Sequence, residues 1–325
     1  MSTGWALNAD AIEYVPKGVG SYHWVVDAGP KYFVTVDDLD TKPWIGSERD
    51  PTFEGLGAAY DATWVLHHEA GLGFVVAPLR RPDGSTVVRL CDRYSMAVFP
   101  FVEGRAGRWG EPVADPVRTA LLRVLARLHQ TTGHLGDRIG RRPLDVPERS
   151  SLAKALHELD QPWTGGPLSE PARHALADHA VDVTGWLSDL DDLAHRLTDE
   201  DEDEDEADVP THGEPHPGNL MHGADGLHLV DWDTLALARR ERDLWMLDGG
   251  SGGLALYEHL TGRTINSAAV SFYRLAWTLS DIASFAAMFR SPHEETRWMR
   301  QKWSGFERLL GGAPSAPFGE SPAPH

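Results

Sequence analysis

Cysteine is nearly missing from this chain of 325 residues. Cys91 stands alone, which excludes an internal disulfide and any cluster of cysteine ligands, and predicts a small buried hydrophobe. Lysine is scarce as well: of 30 basic residues only Lys17, Lys31, Lys42, Lys154 and Lys302 are lysines. Positive charge is outweighed throughout. The formal net charge of −19 argues against a nucleic-acid partner and suits solubility or the attraction of a cationic small molecule. No run of 18 apolar residues exists, and Met1–Ala6 lacks the basic-then-apolar pattern of a signal peptide. These absences predict a cytoplasmic protein with no membrane partner. No repeat with a period of 20 to 50 residues is visible.

What is present suits one large domain or two lobes. From Ile12 to Pro100 short apolar strands alternate with turn residues, predicting strands at 12–15, 22–27, 32–36, 74–78, 87–90 and 95–101. Between them Phe53–Ala70 has helical spacing and Gly71 as a stop. Val102–Gly110 is a glycine-rich join, so the boundary is placed near residue 103, with lobes at 1–103 and 104–325. Helices are expected at 115–132, 151–159 and 170–197, with several more between 243 and 311. The run Asp199–Glu206 followed by Asp208 is expected to be a solvated loop over 199–208, because its carboxylates repel one another. The proline-rich end, 311–325, is expected to be mobile.

One segment carries chemistry. His212-Gly-Glu-Pro-His-Pro-Gly-Asn219 places Glu214 and Asn219 five apart, and Leu229-Val-Asp-Trp-Asp233 brings Asp231 twelve residues later at the end of an apolar strand. Phosphoryl transfer from a nucleotide needs an acid that orients the acceptor hydroxyl. It also needs an amide oxygen and a carboxylate that hold Mg²⁺ on the phosphates. Protein kinases space these groups as H-R-D-x-x-x-x-N with an Asp on the next hairpin. The competing reading is a polar surface hairpin.

These residues closely resemble the catalytic signature of the aminoglycoside phosphotransferases, a kinase-like family whose usual form is H-G-D-x-H-x-x-N with a later D-W. Leu122–His129 looks like that family's helix after the hinge, and Arg240–Trp245 like its segment after the metal site. Tyr32–Lys42 and Tyr273–Trp277 resemble a branch that includes spectinomycin phosphotransferases. The resemblance covers roughly residues 10 to 310. It implies an α+β, protein-kinase-like, two-lobed fold. The small antiparallel β N-lobe would carry one helix, and the larger C-lobe would be mainly helical.

By this resemblance Asn219 and Asp231 are the Mg²⁺ ligands and Glu214 takes the catalytic acid's place, where the family has Asp. The extra methylene shifts the carboxylate by about 1 Å unless the backbone compensates. Either the loop is shaped around Glu, or the chain is a weakened relative. His212 and His216 would buttress the loop, Asp243 would pin it, and Asp233 would reach the metal through water or cap the next turn. The family's phosphate-side lysine belongs on the third strand, where Thr35 stands here. Lys42 is chosen in its place over Lys17 and Lys31, and an arginine from elsewhere is an alternative. Gly18, Gly20 and Ser21 would cover the phosphates, and Phe101 and Glu103 would offer hinge backbone groups to adenine. Trp277 and Asp281, one helical turn apart, would suit a cationic acceptor or, alternatively, serve as core and cap.

The resulting expectation is an ATP- or GTP-dependent O-phosphotransferase with Mg²⁺, a monomer or dimer. Its acceptor would be an aminoglycoside or aminocyclitol antibiotic such as spectinomycin, with resistance as the outcome. A metabolic kinase for a sugar, amino alcohol or biosynthetic intermediate is the second reading. A nucleotide-binding pseudokinase serving as an interaction module is the third.

Overall fold

The computed structural model describes residues 4–16, 20–108, 110–199, 208–248 and 253–312. Lys17, Gly18, residues 200–207 of the acidic run and the tail beyond Gly312 lie outside them. The chain groups into two compact units. One draws its described residues from Met1–Arg142 and Asp208–Arg263, the other from Pro143–Ala207 and Thr264–Gly319.

In the first unit β1 (Ala11–Val15), β2 (Ser21–Asp27), β3 (Lys31–Asp38), β4 (Val87–Arg89) and β5 (Tyr94–Pro100) form an antiparallel sheet in the order β1-β2-β3-β5-β4. Strand residues alternate between faces, so the sheet separates two apolar layers. Val26, Val34 and Val98 pack with Trp5 on one side. Ala97 and Val87 pack on the other against Leu39, Leu56 and Tyr60. Leu56 and Tyr60 lie four apart on α1 (Arg49–His68), which is inserted between β3 and β4. Burying each such side chain contributes about 1.5–3 kcal/mol. Glycine matters at Gly55, where a Cβ would lie 2.6 Å from the Ile45 side chain. Alternation also puts Thr35 and Asp37 on one face of β3, both buried.

Three expectations change here. Residues 74–78 form no strand of the sheet; Val75 makes a single parallel bridge to Leu229, with Val76 N–H donating to the Leu229 carbonyl. Cys91 is exposed, because it sits in the turn between β4 and β5 where the Leu90 and Cys91 amides both meet the Tyr94 carbonyl. Asp208 is not a solvated end of the acidic run: Arg141 Nη1 lies 2.5 Å from its carboxylate.

After β5 the chain passes through β6 (Arg105–Ala106), α2 (Asp115–Leu128) and α3 (Thr132–Leu135). It returns to this unit as β7 (Val209–Thr211), the hairpin β8 (Leu220–Gly223) and β9 (Gly226–Leu229), and β10 (Ala236–Ala238). β6 pairs with β8, and β10 pairs with β7. The ribbon and hairpin bracket residues 212–219, the segment that carries the motif. α7 (Glu241–Leu244) and α8 (Ala255–Thr261) follow, with α8 packed on α2.

The second unit is helical: α4 (Arg149–His157), α5 (Ser169–Asp178), α6 (Ala180–Asp199), α9 (Ser267–Arg290) and α10 (Arg297–Gly311). The single helix expected over 170–197 is two, because His179 leaves the helical conformation at φ −111°, ψ 12°. α9 is central, touching α4, α5, α6 and α10. The Asn266 side chain caps it by accepting from the Ala268 and Ala269 amides, a bond that stabilises a helix by about 1 kcal/mol. No described helix is long and apolar enough to cross a membrane.

Candidate active site

The motif loop leaves β7 at Thr211 and turns at Gly213, where φ is +93°. Asp243, wholly buried on α7, receives the turn. Its Oδ2 accepts the His212 N–H at 2.8 Å and its Oδ1 the Gly213 N–H at 2.6 Å. Burial works to raise the Asp243 pKa, but the His129 hydrogen bond, then the charges of His129, His212 and Arg242, outweigh it and the net shift is downward. Arg242 lies under the turn, donating to Thr211 Oγ1 at 2.7 Å and to the Thr234 carbonyl at 3.0 Å.

The two histidines are braces. His212 is buried, with Nδ1 accepting the Glu214 N–H at 3.2 Å and Nε2 2.9 Å from the Val230 carbonyl, which fixes Nε2–H as the tautomer. It thereby ties the residue before Asp231 to the residue that carries the acid. His216 caps the short 3₁₀ turn Pro217–Asn219, with Nδ1 accepting the Gly218 N–H at 3.1 Å. Burial, then His212, lowers its pKa to about 4, so it is neutral near pH 7. Its Nε2 is 4.0 Å from Glu214 Oε2, and the Glu214 side chain is 35% exposed.

Asn219 Nδ2 donates to the Glu214 carbonyl at 3.0 Å. That commits the amide nitrogen and leaves the amide oxygen for a hard cation. Asp231 follows β9 with φ +66°, a left-handed conformation costing a non-glycine residue about 1–2 kcal/mol. The residue as a whole is exposed, yet protein crowds around its carboxyl group. Loss of hydration, then repulsion by Asp233, raises its pKa to about 7 against the pull of Lys42, with Asp37 adding to the rise.

Lys42 is only 2% exposed. Its Nζ lies 2.7 Å from Asp233 Oδ2 and 3.1 Å from Asp37 Oδ1. Burial disfavours the ammonium, but Asp233, Asp37 and then Asp231 outweigh it, and its pKa is raised. The charge thus arrives beside Asp37, about 7 Å along the strand face from Thr35. Asp233 is therefore a lysine partner. Two carboxylates thus pair with one ammonium, and Asp231 adds its influence to theirs, so acids outnumber the single lysine here.

Gly20 (φ +77°) packs against Thr41, whose hydroxyl is 3.4 Å from the Gly20 carbonyl. The Ser21 hydroxyl, expected near phosphates, donates to Asp37 Oδ1 at 2.8 Å. The Phe101 N–H, expected to serve adenine, donates to the Lys31 carbonyl at 3.2 Å, leaving its own carbonyl for that task. Glu103 is exposed, just before Gly104 passes against the His222 backbone. In the second unit Trp277 and Asp281 share a face of α9. Burial pushes Asp281 up to about 6, opposed by Lys302, the Trp277 indole and Arg308.

Several residues of the site escape sequence reasoning. His129, at the end of α2, links Asp243 (Nε2–Oδ2 3.0 Å) to the Tyr257 hydroxyl (Nδ1–Oη 2.7 Å). Tyr60 approaches Asp37 from α1, Oη to Oδ2 3.4 Å. The one available signal was a pair of acids, Asp37 and Asp38, ending an apolar strand.

A metal fits this donor set. Among the described residues no three His, Cys, Asp or Glu side chains form a closed metal site. Mg²⁺ on a nucleotide asks for fewer protein ligands, since phosphates and water complete its octahedron. Asp231, at an exposed position among other acids, and Asn219, whose backbone carbonyl accepts the Val230 N–H at 3.1 Å, offer a carboxylate and an amide of that kind.

The model of the APH phosphotransferase enzyme family matches residues 24–248. Protein StrN of Streptomyces griseus is 28% identical over 306 residues, 92% of this chain and 86% of that one. Spectinomycin phosphotransferase APH(9)-Ia, solved with ADP and spectinomycin, superposes with a TM-score of 0.72 at 15% identity over 97% of this chain and 94% of its own. Plasmodium vivax ethanolamine kinase does so with 0.57 at 9% identity over 93% and 83%. These likenesses give the fold: a kinase-like arrangement of antiparallel sheet and helical lobe. With more than half its length matched, the chain belongs to the APH phosphotransferase enzyme family and is a small-molecule phosphotransferase.

Proposed function

We propose that the protein transfers the γ-phosphoryl group of ATP to a hydroxyl of a small, amine-bearing acceptor of the aminoglycoside or aminocyclitol class, the reaction of an antibiotic-inactivating kinase. The observation that carries the reading is the buried pairing of Lys42 with Asp233 and Asp37, close enough to Asp231 for each to shift the other's pKa, together with the braced loop of Glu214 and Asn219. Such a cluster wants a divalent cation and a phosphate chain.

In this reading Asp231 and Asn219 hold Mg²⁺, which when bound would neutralise charge developing on the phosphates. Lys42 uses two of its three N–H donors on Asp233 and Asp37 and turns the third to a phosphate oxygen. Gly20 and Ser21 close over that end, and the segment Phe101–Glu103 meets the base. Glu214 orients the acceptor hydroxyl. As the acceptor oxygen bonds to the γ-phosphorus and the bridge to the β-phosphate breaks, the hydroxyl proton passes to the Glu214 carboxylate and ADP departs. His216, neutral, stands beside that carboxylate without competing for its charge. His212 and Asp243 fix the backbone from which Glu214 projects. Trp277 and Asp281 offer the aromatic face and carboxylate that suit a cation, and the net charge of −19 favours its approach.

The fold likeness to an enzyme solved with spectinomycin supports the antibiotic reading. Likeness to an ethanolamine kinase supports a second one, an amino alcohol as acceptor. The test is incubation with γ-labelled ATP and Mg²⁺ against a panel of aminocyclitols, aminoglycosides and amino alcohols, with products read by mass spectrometry. A mass gain of one phosphoryl group on an aminocyclitol or aminoglycoside is expected. Label confined to amino alcohols would replace the antibiotic reading with the second, and no labelled product across the panel would overturn both.

A further inference from the structure

In protein kinases the strand lysine is held by an acid on the inserted helix, and the pair must be in place for phosphoryl transfer. Here both halves of that pair have changed. Thr35 stands where the lysine would be, and no acid of α1 reaches Lys42. Asp50 pairs with Arg89, Asp61 accepts from Thr86 Oγ1 at 2.7 Å, and Glu54 is exposed. The α1 residue at the cluster is Tyr60, which brings a hydroxyl.

The carboxylate comes instead from the strand. Asp37 has no solvent exposure, and both its oxygens are occupied. Oδ1 takes the Ser21 hydroxyl at 2.8 Å and the Lys42 ammonium at 3.1 Å, while Oδ2 faces the Tyr60 hydroxyl. Ser21 and Asp37 are register partners on β2 and β3, so their contact is built into the sheet. The lysine's backbone is equally constrained. It follows the 3₁₀ turn Leu39–Thr41, where Asp38 accepts the Asp40 N–H and pairs with Arg93, and Leu39 enters the core beside Leu56.

We propose that Asp37 is a positioning residue for phosphoryl transfer. Anchored by Ser21 and Tyr60, it holds the Lys42 ammonium at the sheet face where a strand lysine is absent, a strand acid doing the work of a helix acid. Ser21 begins β2 directly after Gly20, so one carboxylate ties the start of that strand and the lysine together. This rests on the reading of Lys42 as the phosphate-side cation.

The test uses the full chain and binding of Mg-ADP by calorimetry, which needs no acceptor, together with thermal denaturation. Asp37→Asn and Lys42→Met should each weaken Mg-ADP by between about tenfold and a hundredfold, the range for a lost supporting partner. If Asp37 acts through Lys42, the double variant should bind no worse than Lys42→Met alone. Multiplying losses would overturn the proposal, as would wild-type affinity in a folded Asp37→Asn. Should Asp37→Asn not fold, Ser21→Ala and Tyr60→Phe each remove one anchor. They should weaken Mg-ADP a few-fold in the wild-type background and not in Lys42→Met. Equal effects in both backgrounds would sink the idea. A wild type that binds Mg-ADP yet phosphorylates nothing in the panel would overturn the function above and leave this inference standing. A wild type that does not bind Mg-ADP would overturn both.

Discussion

Asp243 accepts the Gly213 N–H at 2.6 Å across 30 positions of sequence, and this one bond sets where the motif loop begins. The same carboxylate takes the His212 N–H and the His129 ring. A buried acid is thus satisfied on both oxygens, and among the described residues it is the acceptor for both amides of the turn.

Asp243→Asn should therefore lower stability and turnover together. Its amide nitrogen would face a backbone donor, and each buried N–H left without an acceptor costs about 1–3 kcal/mol. Thermal denaturation with steady-state kinetics checks this. An unchanged melting temperature would show that the loop is held by something else. Gly213→Ala should act in the same direction by at least about 2 kcal/mol, since a Cβ at φ +93° would also run into the Arg242 guanidinium.

Asp231→Asn should separate stability from activity. The amide keeps the shape and tolerates the left-handed conformation, so the fold survives. Removing one carboxylate from beside Asp233 and Asp37 relieves repulsion, so the metal-free variant should melt no lower than the wild type. Turnover should fall by at least about 10²-fold, because the metal loses its carboxylate. Turnover within tenfold of wild type would remove Asp231 from the metal site.

Glu214 distinguishes an adapted enzyme from a decayed one. Glu214→Gln should lower kcat by about 10²-fold or more while nucleotide affinity barely moves, since the amide cannot accept the proton. Glu214→Asp should also slow the reaction, as the shorter side chain withdraws by about 1 Å in a loop braced by His212 and His216. Rescue by Asp of a poorly active wild type would mean that the loop is not built around Glu.

Acid should destabilise the protein through His216. Its folded pKa of about 4 lies below the unfolded value of about 6.5, so the unfolded chain binds more protons between them. The stability it contributes is complete above about pH 6.5 and is lost as the pH falls to about 4, amounting to about 3 kcal/mol. His212, also lowered by burial, acts in the same direction. Urea unfolding across that range is the measurement. His216→Asn, which keeps an acceptor for the Gly218 amide, should flatten the profile relative to wild type, and an unaltered slope would refute the assignment.

The sequence by itself determined what is local. His212–Asn219 and Leu229–Asp233 each lie within a few residues, so spacing alone sets which acid, amide and carboxylate share a loop and a strand end. Alternating apolar residues likewise marked β1, β2, β3, β4 and β5, and helical spacing marked α1, because strand and helix periods are properties of a short window. Only the tertiary structure decided that Lys42 Nζ meets Asp233 across 191 positions, with Asp37 and Tyr60 closing the cluster. It also turned residues 74–78 from a sheet strand into a neighbour of β9, and brought His129 beneath Asp243. The physical reason is the same in each case. A buried charge or an unpaired backbone edge takes whichever partner the packed chain brings within about 3 Å, and that partner carries no mark in the residues beside it.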